Sequence, residues 1–380
     1  MRVLFVNSLE PNQGDFYFLG LKKLVGEKNV VEYPYKPLYH CYINNGALVA
    51  KDLQGNIVAK EDVYHGTVKY NMVNYPVPKI FCLLGSEKYT ISDFPDLTDY
   101  DLIICNFLRG DTPLILKKIF SHINVEIPPI IFIDGEDDFY VRNLYKKKYI
   151  IRYFKREVLT RFPENFHWYL INSVKRYFLK TMNNVSNPYY LKFNKLIYIA
   201  YDNHLTKINP LNLTIPDYGF NPNYNSKIYD ISFIVNPTSP LRIKVYYELL
   251  RISRKHKLNS FLYLGESFSS GIPWYKYVKI IAKSKLSVSI PGGGFDTYRY
   301  WEIPYHGTAL ISWEPWIKIP DNFINEESAI FFKKINELEK RILDYLKSDR
   351  WESISKNGRE HFLQKHTPEK RVRYIFSLLT

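Results

Sequence analysis

An α/β chain of two Rossmann-like, doubly wound parallel-sheet domains facing a cleft is what the residue pattern predicts. Two series of short, continuously apolar strands alternate with helix-patterned stretches, as expected for strands covered by helices on both faces. Between them, residues 209–227 gather Pro210, Pro216, Gly219 and Pro222 with several Asn, a composition that ends regular elements and reads as an interdomain linker. A length of 380 residues suits two cores of ordinary domain size, and no internal repeat points to a solenoid. The expected domains therefore cover 1–210 and the residues from 228 onward.

The first series opens with RVLFVN, a buried strand. One basic residue, a short apolar run and no small-residue cleavage pattern distinguish it from a signal peptide. A helix is expected from about Gly14 to Val25, then VVEYP, DLIIC, a helix after Asp111, PIIFID and, much later, KLIYIA, the strands forming one parallel sheet. Residues 43–70 break this rhythm, and NNGALVAKDLQGNIVAKEDV reads as an inserted hairpin. Ligands of open α/β sheets bind outside the carboxyl ends of the strands, which directs attention to the following loops. After RVLFVN, Gly14 opens a helix whose amides can meet a phosphate or sugar, with Asp15 at its start; an ordinary capping carboxylate is the alternative for Asp15. After PIIFID, the residues Asp134, Glu136, Asp137 and Asp138 crowd four carboxylates into five positions. Like charges this close raise one another's pKa unless a cation intervenes. They read as divalent-metal ligands, as a general base on Asp134 or Asp137, or as salt-bridge partners of residues 146–148.

The second series runs DISFIV, a helix from about Ser239 to Lys255, FLYLG, a helix around Trp274 to Lys283, LSVSI, a short motif helix, ALIS, AIFF and two terminal helices. After DISFIV, Ser239 is placed to cap a helix whose early Arg242 reads either as a cleft-facing positive charge suited to a phosphate or as a plain helix-surface arginine. Gly265, after FLYLG, reads either as a nucleobase contact or as a plain turn. The richest stretch is SVSIPGGGFDTYRYWEIPYHGTALIS. Leu286, Val288 and Ile290 alternate with small or polar residues until Pro291, Gly292, Gly293 and Gly294 end the strand. Backbone amides at Gly293 and Gly294 can approach a pyrophosphate because no Cβ stands in the way. Thr297 is placed to cap the next helix. Arg299 and Glu302 share one of its faces, the first suited to a phosphate and the second to the vicinal hydroxyls of a ribose. The plain alternative is a sharp turn with a surface Arg/Glu pair.

GFDTYRYWEIPYHGTALIS, followed by NFINEESAIFF, INELEKRILDYLKSDRWESISKNGREHF and HTPEKRVRYIF, resembles the C-terminal half of the spore-maturation-type glycosyltransferases, a GT-B group, over residues 228–380. The resemblance implies an acceptor domain over 1–210, a nucleotide-sugar donor domain over 228–365, and a last helix in 366–380 that packs back on the first domain. It implies an enzyme of hexosyltransferase type. A sugar would pass from a nucleotide-diphosphate sugar, the co-substrate, to a hydroxyl of a glycan, lipid-linked or protein acceptor, with no cofactor or bound metal required. Glu302 would hold the donor ribose, Arg299 would sit beside the phosphates, and Gly307 would allow close approach. A D-G-E-D-D segment recurs in related glycosyltransferases, which favours Asp134 and Asp137 as base or acceptor-binding groups over metal ligands.

The formal charge of +14 favours polyanionic partners: nucleotide diphosphates, anionic lipid headgroups or nucleic acid. Basic and aromatic residues interleave in YKKKYIIRYFKRE (145–157), and basic residues continue at Lys175 and Arg176. That pattern reads as a peripheral membrane patch or as a solvated helix face. No nucleic-acid-binding motif accompanies it, which ranks nucleic acid last. Cys41, Cys82 and Cys105 lack metal or disulfide spacing, and no apolar run reaches the roughly 18 residues that span a bilayer, so a cytoplasmic protein, free or peripheral at the membrane, is expected. The competing class is a non-catalytic nucleotide- or polyanion-binding module with a GT-B-like shell.

Overall fold

The computed structural model describes residues 1–6, 14–36, 94–106, 112–121, 127–183, 195–201, 207–215, 219–266 and 274–379, the strands between 42 and 76, and positions 192, 193, 217 and 272. Two parallel sheets organise it. The first contains β1 (Val3–Val6), β2 (Val30–Tyr33), β8 (Leu102–Asn106), β9 (Ile130–Asp134), β11 (Ile150–Lys155) and β13 (Ile208–Pro210), in the order β13-β11-β9-β8-β1-β2. All of its pairings are parallel. The second contains β14 (Tyr229–Val235), β15 (Ser260–Leu264), β16 (Ser284–Ser289), β17 (Ala309–Trp313) and β18 (Ile330–Phe332), in the order β15-β14-β16-β17-β18, again parallel throughout.

The central strands are buried along their whole length, β8 and β9 in the first sheet and β17 in the second. Full burial of one Ile or Phe contributes roughly 1.5–3 kcal/mol, which draws such uninterrupted runs to the middle of a sheet. Helices α1 (Gly14–Val25), α2 (Thr112–Ser121) and α3 (Phe166–Asn183) accompany the first sheet. The second is accompanied by α4 (Pro240–His256), α5 (Trp274–Ala282), α6 (Tyr298–Tyr305), α7 (Leu338–Lys347) and α8 (Arg350–Lys365). The last helix, α9 (Pro368–Ser377), lies on α1. Val372 and Ile375 share a core with Tyr17, Phe18 and Leu21, and a Cβ on Gly20 would collide with the Pro368 carbonyl.

Several sequence expectations change. Residues 145–157 form no α-helix face: Ile150–Lys155 are β11, where Tyr153, Phe154 and Lys155 are fully buried, while Lys146 and Lys148 just before it are exposed. KLIYIA does not join the parallel sheet; β12 (Leu196–Ile199) pairs antiparallel with β10 (Tyr140–Arg142). The expected hairpin region forms an antiparallel meander of β3 (Tyr42–Asn44), β4 (Ala47–Lys51) and β5 (Ile57–Asp62), followed by a ribbon of β6 (Thr67–Tyr70) and β7 (Val73–Pro76). The segment after β13 is no exposed tether. Leu211 packs in the first core while Leu213 and Ile215 pack in the second, and Asn212 and Thr214 are fully buried. No helix among the described residues is long and apolar enough to cross a membrane.

Candidate functional site

Between the two sheets lies a cavity of about 440 Å³. Its wall includes Asp137 and Arg156 from the first lobe and Asn236, Thr238, Arg242, Tyr277, Gly292, Gly293, Gly294, Asp296, Thr297 and Arg299 from the second. The ends of β9 and β11 meet the ends of β14 and β16 here, the place where open α/β sheets bind ligands.

The glycine turn holds the site together by admitting three side chains. A Cβ on Gly292, Gly293 or Gly294 would collide with Arg242, Arg176 or Glu157, respectively. Glu157, at the end of β11 and fully buried, accepts from the amides of Phe295 (3.1 Å) and Asp296 (2.9 Å). Arg176, on α3, donates to the carbonyls of Asp137 and Gly293, both at 2.9 Å. Asp296 accepts from the Leu213 amide (2.6 Å) and the Trp301 indole (2.8 Å). The turn is thus bolted across the two lobes, and the amides at positions 295 and 296 are already engaged. Burial pushes the Glu157 and Asp296 carboxyls above their ordinary values, with Arg156 opposing the shift in each.

Two guanidiniums of the second lobe line the cavity. Ser239 caps α4, accepting from the Arg242 amide at 3.4 Å, and Pro240 occupies the first turn. Arg242 is buried and donates to the Ile290 carbonyl (3.1 Å), Thr238 Oγ1 (2.7 Å) and the Asn236 carbonyl (3.4 Å). All three acceptors are uncharged, and burial followed by the charge of Arg299 pushes its pKa down to about 9. Arg299 lies 5.9 Å from the centre of the Tyr277 ring, and among the described residues its Nε has no hydrogen-bond partner. Neither guanidinium meets a carboxylate among the described residues. A buried and a half-buried cation on a cavity wall, without a carboxylate partner among the described residues, can receive an anion. Glu302 stands just behind the wall, with its Oε2 accepting from Tyr277 Oη at 2.6 Å. Thr297 occupies the cap position of α6 but makes no side-chain cap; its Oγ1 lies 3.4 Å from Ser289 Oγ.

The acidic cluster of the first lobe divides in two. Asp134 does not reach the cavity, which corrects its reading as a base: it is buried against Arg142 (2.8 Å), Lys155 (3.2 Å) and the Tyr153 hydroxyl (2.5 Å). Asp138 joins the same network through Arg142 (2.6 Å) and Lys155 (3.2 Å). Burial opposes its ionisation, but those two cations outweigh burial and hold the carboxyl well below its ordinary value. The partners come from β10 and β11, not from residues 146–148. Asp137 alone turns to the cavity, half-exposed and paired with Arg156 and, at 3.6 Å, Arg176. Among the described residues no group of three or more His, Cys, Asp or Glu is arranged to hold a metal ion.

Other expected positions fall around this centre. Gly14 begins α1 and is buried; the loop before it, residues 7–13, lies outside the described residues, as does the side chain of Asp15. The first turn of α1 reaches the cavity rim, where the Phe16 ring meets Tyr298 edge-on at 6.0 Å. Gly265 extends the β14–β15 ladder by donating to the Val235 carbonyl (2.8 Å), while Val235 and Tyr263 line the cavity. Arg156, Glu157, Arg176, Tyr277 and Asp296 escaped sequence reasoning as site residues. Arg156 and Arg176 sit inside basic stretches, but nothing local marks them as cavity residues.

Residues 250–377 match the family described as glycosyl transferase-like. A comparison with curated proteins finds none that matches. Among solved structures, the chain is similar to an alpha-glucosyltransferase in complex with UDP-glucose and DNA containing an abasic site. Identity is 10%, coverage is 100% of this chain and 99% of that one, and the TM-score is 0.51. It is similar also to sucrose-phosphate synthase from Thermosynechococcus elongatus, with 11% identity, coverage of 100% and 98%, and a TM-score of 0.50. At such identity the likeness speaks for the fold alone. The chain therefore has the GT-B fold, two parallel-sheet α/β domains about a cleft, with a glycosyl transferase-like segment over residues 250–377.

Proposed function

We propose that the protein transfers a hexosyl group from a nucleotide-diphosphate sugar to a hydroxyl of an acceptor. The observation that carries this reading is the pair Arg242 and Arg299, buried and half-buried, without a carboxylate partner among the described residues, on one wall of the interlobe cavity. In the reaction, the bond from the anomeric carbon to the diphosphate oxygen breaks and its electron pair leaves with the diphosphate. The acceptor oxygen bonds to the anomeric carbon and passes its proton to the cavity-facing carboxylate of Asp137. Charge develops on the leaving oxygen, and preorganised cations there lower the barrier most. Arg242 and Arg299 serve that role, and the backbone of Gly293 and Gly294 borders the same space. Glu302, already oriented by Tyr277, receives the ribose hydroxyls of the donor. A neighbour of the same fold binds UDP-glucose, which makes uridine diphosphate sugars the first donors to try. Asp137 is the one carboxylate of its cluster able to meet an acceptor, while Asp134 is assigned to structure. No step needs a cofactor or a resident metal.

The test is a calorimetric titration with nucleotide diphosphates and their sugars, followed by a donor-hydrolysis assay, on the wild type and Arg242→Ala. Micromolar nucleotide binding and slow donor hydrolysis, both lost in the variant, are expected. Binding without hydrolysis or transfer to any acceptor would instead assign the chain to the non-catalytic binding class.

A further inference from the structure

We infer that the outward face of α3 docks on an anionic lipid surface and brings the interlobe cavity to a membrane. At 3.6 residues per turn, Ile171, Lys175, Phe178, Leu179 and Met182 share a stripe about 100° wide, while Tyr169 and Ser173 point the opposite way and are buried. Ile171, Phe178, Leu179 and Met182 are 52%, 60%, 62% and 70% exposed, and Phe162, on the approach to the helix, is 56% exposed. Isolated exposed apolar residues need no explanation, but a contiguous stripe of them does. Membrane interfaces select helices with one apolar face and cationic flanks.

The occupant follows from charge. From residue 165 to 201 the sequence holds no Asp or Glu, yet it carries Lys175, Arg176, Lys180, Lys192 and Lys195. A second copy of the chain is disfavoured, because a two-fold contact centred on this stripe would set Lys175 near its own symmetry mate with no acid on the helix to neutralise it. An anionic bilayer accepts both the apolar side chains and the lysine. The placement also has a consequence for the cavity. Arg176, on the flank of the same helix, touches Gly293 and Asp137, so the docking stripe and the cavity wall are separated by about one helix diameter, roughly 10 Å. This surface does not depend on the transfer reading, although it would present a lipid-borne acceptor to that site.

The experiment is co-sedimentation of the full chain with vesicles of phosphatidylglycerol and phosphatidylcholine, against vesicles of phosphatidylcholine alone. The expected result is binding to the anionic vesicles that weakens with salt. Phe178→Ser with Met182→Ser should reduce it by at least about tenfold, given what burial of each side chain contributes, and Lys175→Glu should reduce it on anionic vesicles. Thermal unfolding of the variants should match the wild type, since all three side chains are exposed. Failure of the wild type to sediment, or equal binding by the variants, overturns the inference. So does a wild-type dimer in light scattering that the double substitution turns into a monomer, because the stripe would then be a protein interface. Nucleotide titration of the same samples reads the cavity separately: vesicle binding with no nucleotide binding leaves the docking surface standing and removes the transfer reading.

Discussion

The two lobes treat buried charge in opposite ways. In the first, Asp134 and Asp138 are saturated by Arg142 and Lys155, two anions against two cations in a closed network away from the cavity. In the second, Arg242 and Arg299 lean on carbonyls, a hydroxyl and an aromatic ring, with no anion among the described residues. A closed network is complete without a ligand and serves the fold. An open one is completed by a ligand, so unpaired charge on a cavity wall is the better guide to a site than a crowd of acids in the sequence.

That contrast can be tested from both sides. The largest effect is expected on the closed network: Arg142→Ala leaves two buried carboxylates short of a partner and should destabilise the fold by about 3–5 kcal/mol, read from denaturant unfolding. If Arg142→Ala unfolds like the wild type, the network is not structural. On the open side, Arg242→Ala should lower turnover by roughly 10²–10³-fold. Its melting temperature without nucleotide should hold or rise, because a desolvated cation has been removed. An Arg242→Ala enzyme with normal turnover sinks the phosphate role. Glu302→Ala should weaken nucleotide binding by on the order of tenfold, the scale of hydrogen bonds to a charged group, with little change in unfolding; equal affinity by calorimetry would refute the ribose assignment. Treatment with EDTA should leave transfer unchanged. Activity that is lost on chelation and restored by manganese would return Asp137 to consideration as a metal ligand.

The smallest effect expected is a difference in pH dependence between two buried acids. The carboxyl of Asp138 lies below its ordinary value of 3.8 in the folded chain, so its contribution is present above that value and lost as pH falls through the folded one. Burial raises Glu157 above its ordinary 4.5, so its contribution is present below that value and lost as pH rises through the folded one. Melting curves against pH should therefore flatten on the acid side in Asp138→Asn and above 4.5 in Glu157→Gln. Slopes unchanged in both would show that neither carboxyl is shifted by folding.

Much of the fold was legible because a strand covered on both faces has to be apolar throughout, and RVLFVN, PIIFID and DISFIV are. YKKKYIIRYFKRE hid a strand for the converse reason: the charge of Lys155 is tolerable inside a sheet only because Asp134 and Asp138 neutralise it, and those residues lie on another element. KLIYIA looked like its parallel neighbours because an apolar run does not state the direction of its partner. In the site, Gly293, Gly294, Arg299 and Glu302 could be named together since a strand, a turn and one helix keep them local. Arg156, Arg176 and Asp137 come from the other lobe, and the meeting of Arg176 with Gly293 spans 117 positions.

Read as a string of residues, this protein already declares alternating strands and helices, a glycine turn before a charged helix, and a basic balance, because periodicity and local spacing are properties of neighbours. Which charges are cancelled and which are left facing a cavity depends on residues far apart in the chain reaching within hydrogen-bond distance. Electrostatic energy inside a protein is set by distance and burial, and both exist only once the two lobes have closed on one another.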